Sequence, residues 1–214
     1  SSMIRVLIAD DHAIVREGLA NVLSSSVGFE VAALAASGPE TLQKIREVPV
    51  DVVLLDMAMP GMNGIETLKQ IKIERPRLPV LILSMHPESQ YAIRSIRAGA
   101  AGYLTKDCEK GVLLEALRRA AAGGQYLTPA VSECLMREIQ QPISGAQPHQ
   151  LLSDREFEVL RLIAGGMQLA DMARHLNLSP KTVSTYRARI LEKLGLSGNA
   201  ELMRYAFDQG LAGP

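Results

Sequence analysis

Over the first 125 positions, short unbroken apolar runs alternate with stretches whose apolar residues recur every three or four places. The runs IRVLIAD (4–10), EVAALA (30–35), DVVLLD (51–56), PVLILS (79–84) and AGYLT (101–105) are too short for helices and rich in Val, Ile and Leu, which predicts strands. A helical pattern follows each. The first, around Ala13 to Leu23, puts Ile14, Val15, Leu19, Val22 and Leu23 on one face, and the last lies near Lys110 to Ala122. Five such βα units, with strands apolar on both faces, predict an α/β domain: a doubly wound five-stranded parallel sheet covered by helices on each side. In that architecture ligands bind at the carboxyl ends of the strands, so functional residues should stand just after each run.

The pattern changes after residue 125. One more helix can follow Pro129, but QQPISGAQPHQ (140–150) has no periodic apolar face and two prolines, which reads as a linker. The expected organisation is therefore a domain over 1–125, a linker with a possible helix over 126–150, and a small all-α domain over 151–214. Ser153-Asp154-Arg155-Glu156 has the form of a capping box and opens that second domain. Four helices follow. The first runs from about Asp154 to Ala164, with Phe157, Val159, Leu160 and Ile163 apolar, and stops at Gly165-Gly166. The second is Leu169 to Leu176; the third, capped by Ser179 with Pro180 at its first position, reaches Gly195; the last spans about Gly198 to Gln209.

In the third helix Val183, Tyr186, Ile190 and Leu194 make the stripe that must be buried. The other face is left with Lys181, Ser184, Thr185, Arg187, Ala188 and Arg189, and Lys193 near the end. Small polar residues flanked by cations suit base edges and phosphates, and two helices joined by a short turn make a helix-turn-helix.

Composition refines this picture in two places. The chain has 214 residues, 47% hydrophobic and 21% charged, as a folded protein should, and a formal net charge of zero. That zero hides an asymmetry: Arg174, Lys181, Arg187, Arg189 and Lys193 face only Glu192 between positions 174 and 193. DNA is thus the expected partner of the second domain. Cys108 and Cys134 form no CxxC pair, which argues against a structural metal or a disulfide framework and for a reducing, cytoplasmic setting. No apolar run approaches the about 20 residues of a membrane span, and no leader pattern precedes the first strand, so no membrane association is expected.

The strand-end rule selects Asp10 and Asp11 after the first strand, Asp56 after the third, Ser84 after the fourth and Lys106 after the fifth. Carboxylates crowded in this way repel one another, and a hard cation such as Mg²⁺ resolves the repulsion. Asp56 is the candidate nucleophile for a phosphoryl group, Lys106 and the cation would neutralise its oxygens, and Ser84 would donate a hydrogen bond only once that group is present. An aspartate-nucleophile phosphatase would share these parts but wants a second acid two residues on, where Ala58 stands. No substrate turnover is expected.

An acidic pair, an Asp followed by x-x-M-P-G-x-x-G (Asp56 to Gly64), a Ser and a Lys together resemble the receiver domain of bacterial response regulators. That resemblance implies a Mg²⁺ site from Asp10, Asp11, Asp56 and the Ala58 carbonyl, phosphorylation of Asp56 by a histidine kinase, and a switch pair of Ser84 and Tyr103. Met85 is bulkier than the Ala or Gly many receivers carry beside the Ser, and its bulk is expected to slow loss of the phosphate. His12 and His86 are read as surface residues.

LSDREFEVLRLIAGG (152–166) and LADMARHLNLSPKTVSTYRARILEKLGL (169–196) are similar to the LuxR/NarL DNA-binding domain. The resemblance assigns Thr182 and Arg187 to phosphates and Ser184, Thr185 and Ala188 to bases. Where many members have Asn-Lys-Glu-Ile-Ala, this chain has Leu169-Ala170-Asp171-Met172-Ala173, so a polar backbone contact from that helix is expected to be missing. Leu202, Tyr205 and Ala206 on the last helix suit either the core or a dimer seam; in the resembling family this helix pairs two domains. Together these expectations describe a transcription regulator in which phosphorylation controls homodimerisation and DNA binding. The alternative is a constitutive DNA-binding protein whose first domain is only a dimer scaffold.

Overall fold

Runs with Val, Ile or Leu on both faces become strands because helices above and below hide both faces at once. In the computed structural model, which describes residues 2–86, 90–142 and 147–211, they are β1 (Ile4–Ala9), β2 (Phe29–Ala35), β3 (Val52–Asp56), β4 (Val80–Ser84) and β5 (Gly102–Thr105). All pair in parallel in the order β2-β1-β3-β4-β5. Helices α1 (Ala13–Ser24), α2 (Gly38–Glu47), α3 (Gly64–Glu74), α4 (Gln90–Arg97) and α5 (Lys110–Ala121) return the chain. Ser37 and Asn63 cap α2 and α3 by accepting from the Glu40 and Glu66 N–H groups.

β3 and β4 are buried along their whole lengths, as expected for strands covered on both faces. The edge strand β2 departs from that expectation: Val31, Ala32 and Ala33 are half-buried and Leu34 is exposed, because β2 has a neighbour on one side only. The connection order reverses between β1 and β3, which opens a crevice at their carboxyl ends. Ala9 pairs with Leu55, so Asp10 and Asp56 emerge side by side there.

The chain divides into two compact units, residues 1–133 and 134–214. The division falls inside α6 (Pro129–Gln140), a helix in which Val131 is the buried residue. The stretch expected to be a linker thus contains α6 and a short 3-10 turn, Pro148–Leu151; its residues 143–146 lie outside the described residues.

In the second unit α7 (Asp154–Ala164), α8 (Leu169–Leu176), α9 (Pro180–Leu194) and α10 (Asn199–Asp208) pack around Phe157, Leu160, Ile163, Met172, Leu176, Val183, Ile190 and Leu202. The capping box at Ser153 and Glu156 is formed in both directions. Asn177, with φ of 55°, ends α8 in the left-handed region and turns the chain into Ser179, whose hydroxyl accepts from the Thr182 N–H and starts α9.

Candidate functional site

At the end of β3 the backbone must turn at once and pass close to itself. Gly61 takes φ of 74°, and a Cβ on Gly64 would lie 2.6 Å from the Asp56 carbonyl oxygen, so the Pro-Gly-x-x-Gly pattern is imposed by sterics. The turn leaves Asp56 only 2% exposed, with its Oδ1 accepting from the Ala58 N–H at 3.3 Å. Lys106 reaches in from the end of β5: its Nζ lies 2.7 Å from Asp10 Oδ2 and 3.1 Å from Asp56 Oδ1.

One ammonium faces a cluster of Asp10, Asp11 and Asp56, and the imbalance is visible in two ways. Asp56 Oδ2 and Asp11 Oδ1 are buried without a hydrogen-bond partner. Burial, and then the neighbouring Asp10 charge, push the Asp56 carboxyl up to about 6, against the pull of Lys106 and the Ala58 N–H. Burial works against the Lys106 charge as well, but the hydrogen bond it donates to Asp10 and the two carboxylate charges outweigh it and raise the amine. The site is short of positive charge, and its all-oxygen carboxylate donors are those of a hard divalent cation.

Ser84 and Tyr103 meet the loop after β4. The Ser84 hydroxyl accepts from the His86 N–H at 3.0 Å, and the buried Tyr103 donates its O–H to the His86 carbonyl at 3.0 Å. Two residues that sequence reasoning left aside also belong to this pocket. His12, read as a surface residue, brings Nδ1 within 3.3 Å of Asp10 Oδ1 and 3.1 Å of Asp11 Oδ1. Arg16 holds the Asp10 carbonyl at 2.6 Å. The contiguous Asp10-Asp11-His12, with a cation one helical turn further on, was the signal for both. A cleft of about 990 Å³ at the opposite end of the sheet is lined by Arg5, Asp51, Arg46 and Glu74, whose charges satisfy one another, and neither orphaned carboxylate oxygen lies there.

In the second unit, Lys181, Ser184, Thr185, Ala188 and Arg189 are exposed on α9, with Thr182 and Arg187 half-buried at its flanks. Arg187 Nε donates to Asn199 Oδ1 on α10 at 2.5 Å, and the Arg189 guanidinium lies 5.9 Å from the Tyr186 ring centre. Both cations are held in place from neighbouring groups while remaining at the surface.

Residues 6–118 match the family described as response regulator receiver domain, and residues 150–206 the family described as bacterial regulatory proteins, luxR family. The chain belongs to the response regulators. It is 39% identical to the response regulator GacA of Pseudomonas viridiflava, over 98% of both chains, and 34% identical to UvrY of Escherichia coli K12, over 98% of this chain and 96% of that one. Among solved structures, RcsB of Salmonella enterica serovar Typhimurium, bound to promoter rprA in the presence of the phosphomimetic BeF₃⁻, aligns with a TM-score of 0.67 at 26% identity, covering 95% of this chain and 98% of that one. The protein is a two-component response regulator with a receiver and a LuxR-type DNA-binding domain. No helix among the described residues is long and apolar enough to cross a membrane.

Two of the expectations for the second domain meet packing inside it. Lys193, expected near the end of the exposed face of α9, donates from Nζ to Glu156 Oε1 at 2.6 Å, and Glu156 is 3% exposed, so this ammonium ties α9 to α7. Leu202 and Ala206 are both fully buried in the domain's own core, and Tyr205 turns its hydroxyl inward to His149, 2.9 Å from Nδ1. These three face inward because α10 must close the four-helix core. The outward strip of α10 carries Ala200, Met203 and Phe207, the last 75% exposed. In α8, Asp171 pairs with Arg174 and Leu169 is exposed.

Proposed function

We propose that Asp56 is the phosphoryl acceptor of this regulator, and that its phosphorylation by a histidine kinase favours a homodimer that holds DNA more tightly. The observation that carries this reading is Asp56 Oδ2: a buried carboxylate oxygen with no hydrogen-bond partner, beside a lysine that already fixes the other oxygen. Attack by Oδ2 on the phosphorus of a phosphohistidine forms an O–P bond as the N–P bond breaks, and the electron pair returns to the imidazole. Lys106 stands where an equatorial phosphoryl oxygen would gather charge. Mg²⁺ bound by Asp10, Asp11, Asp56 and the Ala58 carbonyl would supply the remaining positive charge. Ser84 would exchange its bond from the His86 N–H for one to the phosphoryl group, and that exchange pulls on the loop that Tyr103 also grips.

The switch is a population shift: phosphate contributes only through contacts made better in one state than the other. Lys181, Thr182, Arg187 and Arg189 would meet DNA phosphates, and Ser184, Thr185 and Ala188 base edges in the major groove. Two chains would pair through Ala200, Met203 and Phe207, matching half-sites about one duplex turn apart. That RcsB was solved on a promoter with a phosphomimetic supports the assignment of both ends. The reading places the protein in the cytoplasm, where kinase and DNA are both within reach.

The deciding experiment measures solution mass and DNA affinity with Mg²⁺, before and after loading with beryllium fluoride. Loading should raise the mass from monomer to dimer and tighten binding. If the pocket loads and neither quantity changes, the receiver is only a scaffold and the regulator is constitutive.

A further inference from the structure

His12 completes the donor set of the acidic pocket with a nitrogen. One ligand atom from each of Asp10, Asp11, His12 and Asp56 lies within 4.8 Å of every other, which groups the four as candidate ligands that small side-chain adjustments would bring to one ion. The distances suit shared coordination. Two cis ligands, each about 2.1 Å from an octahedral ion, stand about 3.0 Å apart. His12 Nδ1 is 3.1 Å from Asp11 Oδ1 and 3.3 Å from Asp10 Oδ1. Nδ1 is also within hydrogen-bond range of Asp10 Oδ1, a contact that a bound cation would replace, while the buried Asp11 Oδ1 and Asp56 Oδ2 have no hydrogen-bond partner and are left for the ion. The His12 backbone N–H donates to Asp10 Oδ1 at 2.8 Å, which anchors the residue at the mouth of the pocket.

Building on the reading of this pocket as a cation site, we propose that His12 is a direct ligand and turns an oxygen site into a mixed nitrogen and oxygen site that favours borderline divalent cations of the Mn²⁺, Co²⁺ and Zn²⁺ class over Mg²⁺. Mg²⁺ is hard, gains little from imidazole and keeps water in that position; the later ions gain from nitrogen in the Irving–Williams order. Metal selectivity, and with it the ion present when Asp56 is phosphorylated, then depends on a residue outside the three carboxylates.

The test uses the full chain and a His12→Ala variant, titrated calorimetrically with Mg²⁺ and with Co²⁺ at about pH 8, above the ordinary histidine range. His12 makes no side-chain cap bond to α1 and its side chain is 66% exposed, so the fold does not depend on it. The expected result is a loss of about tenfold in Co²⁺ affinity with Mg²⁺ affinity nearly unchanged, together with a shift of the Co²⁺ visible bands toward an all-oxygen spectrum. Equal ratios of Co²⁺ to Mg²⁺ affinity in both proteins, with identical bands, would overturn the ligand role of His12 while leaving the pocket as a cation site. Failure of the wild type to bind either ion would overturn the pocket reading and this inference together.

Discussion

The acidic pocket and the exposed face of α9 both concentrate like charges, but they do so in opposite solvents. In the pocket two buried carboxylates and one half-buried one crowd around one lysine, two of their oxygens are left orphaned, and the Asp56 carboxyl is driven up to about 6 by burial and by Asp10. On α9 the cations stand in water, where repulsion is screened and none must be neutralised for the domain to fold. A buried cluster therefore asks for a specific small ligand of opposite charge, whereas an exposed one suits a long polyanion that releases its own counterions on binding. The first kind of site supplies a switch, the second an address.

Breaking the pocket should have the largest effect. Asp56→Asn keeps size and hydrogen-bonding capacity but removes the nucleophile, and phosphoryl labelling from a small donor is expected to vanish; labelled peptide mapping elsewhere would sink the assignment. On α9 the expected loss is graded. DNA affinity should fall by about 10³-fold or more between low and moderate salt, and Lys181→Ala or Arg187→Ala should flatten the logarithmic salt slope by about one unit each. Lys193→Ala should leave that slope unchanged, and an equal flattening would return Lys193 to the DNA face.

Instead, Lys193→Ala should cost stability, about 1 kcal/mol given that the lysine is partly exposed, because it leaves the buried Glu156 carboxylate with only the Ser153 backbone N–H. Burial acts to raise the Glu156 carboxyl, but the hydrogen bond from Lys193 and those around Ser153 prevail and hold it below the ordinary glutamate range. The pair thus contributes fully above that range, and the difference between wild type and variant should shrink as pH falls through it and vanish only below the depressed Glu156 value, which chemical denaturation at several pH values would measure. The smallest effect is expected at Met85. Met85 is 73% exposed rather than buried beside Asp56, so Met85→Ala should speed phosphate loss by at most a few-fold. An unchanged decay rate would remove Met85 from any role in shielding the phosphate.

The strands, the Ser153 capping box and the α9 stripe were legible in the chain because each rests on local sterics or on a periodicity that one element can satisfy alone. Strand ends plus the rule that parallel sheets bind ligands at their carboxyl edge sufficed to list Asp10, Asp11, Asp56, Ser84 and Lys106. Lys193, His12 and α10 were not legible in the same way, since each depends on what lies across a packing boundary. The helical period puts Lys193 beside the DNA face, yet Glu156, 37 positions earlier, draws its ammonium away. Leu202 and Ala206 share a stripe whether that stripe meets the core or a second chain, and only the closing of the four-helix core turned it inward and left Met203 and Phe207 outside. By itself, then, the sequence determined the elements, their order and the chemistry gathered at the sheet edge, because those follow from short-range geometry. Tertiary structure alone decided which charges are spent on one another and which remain for a ligand, because charge pairing is set by distance in space and by burial, and neither is written in sequence separation.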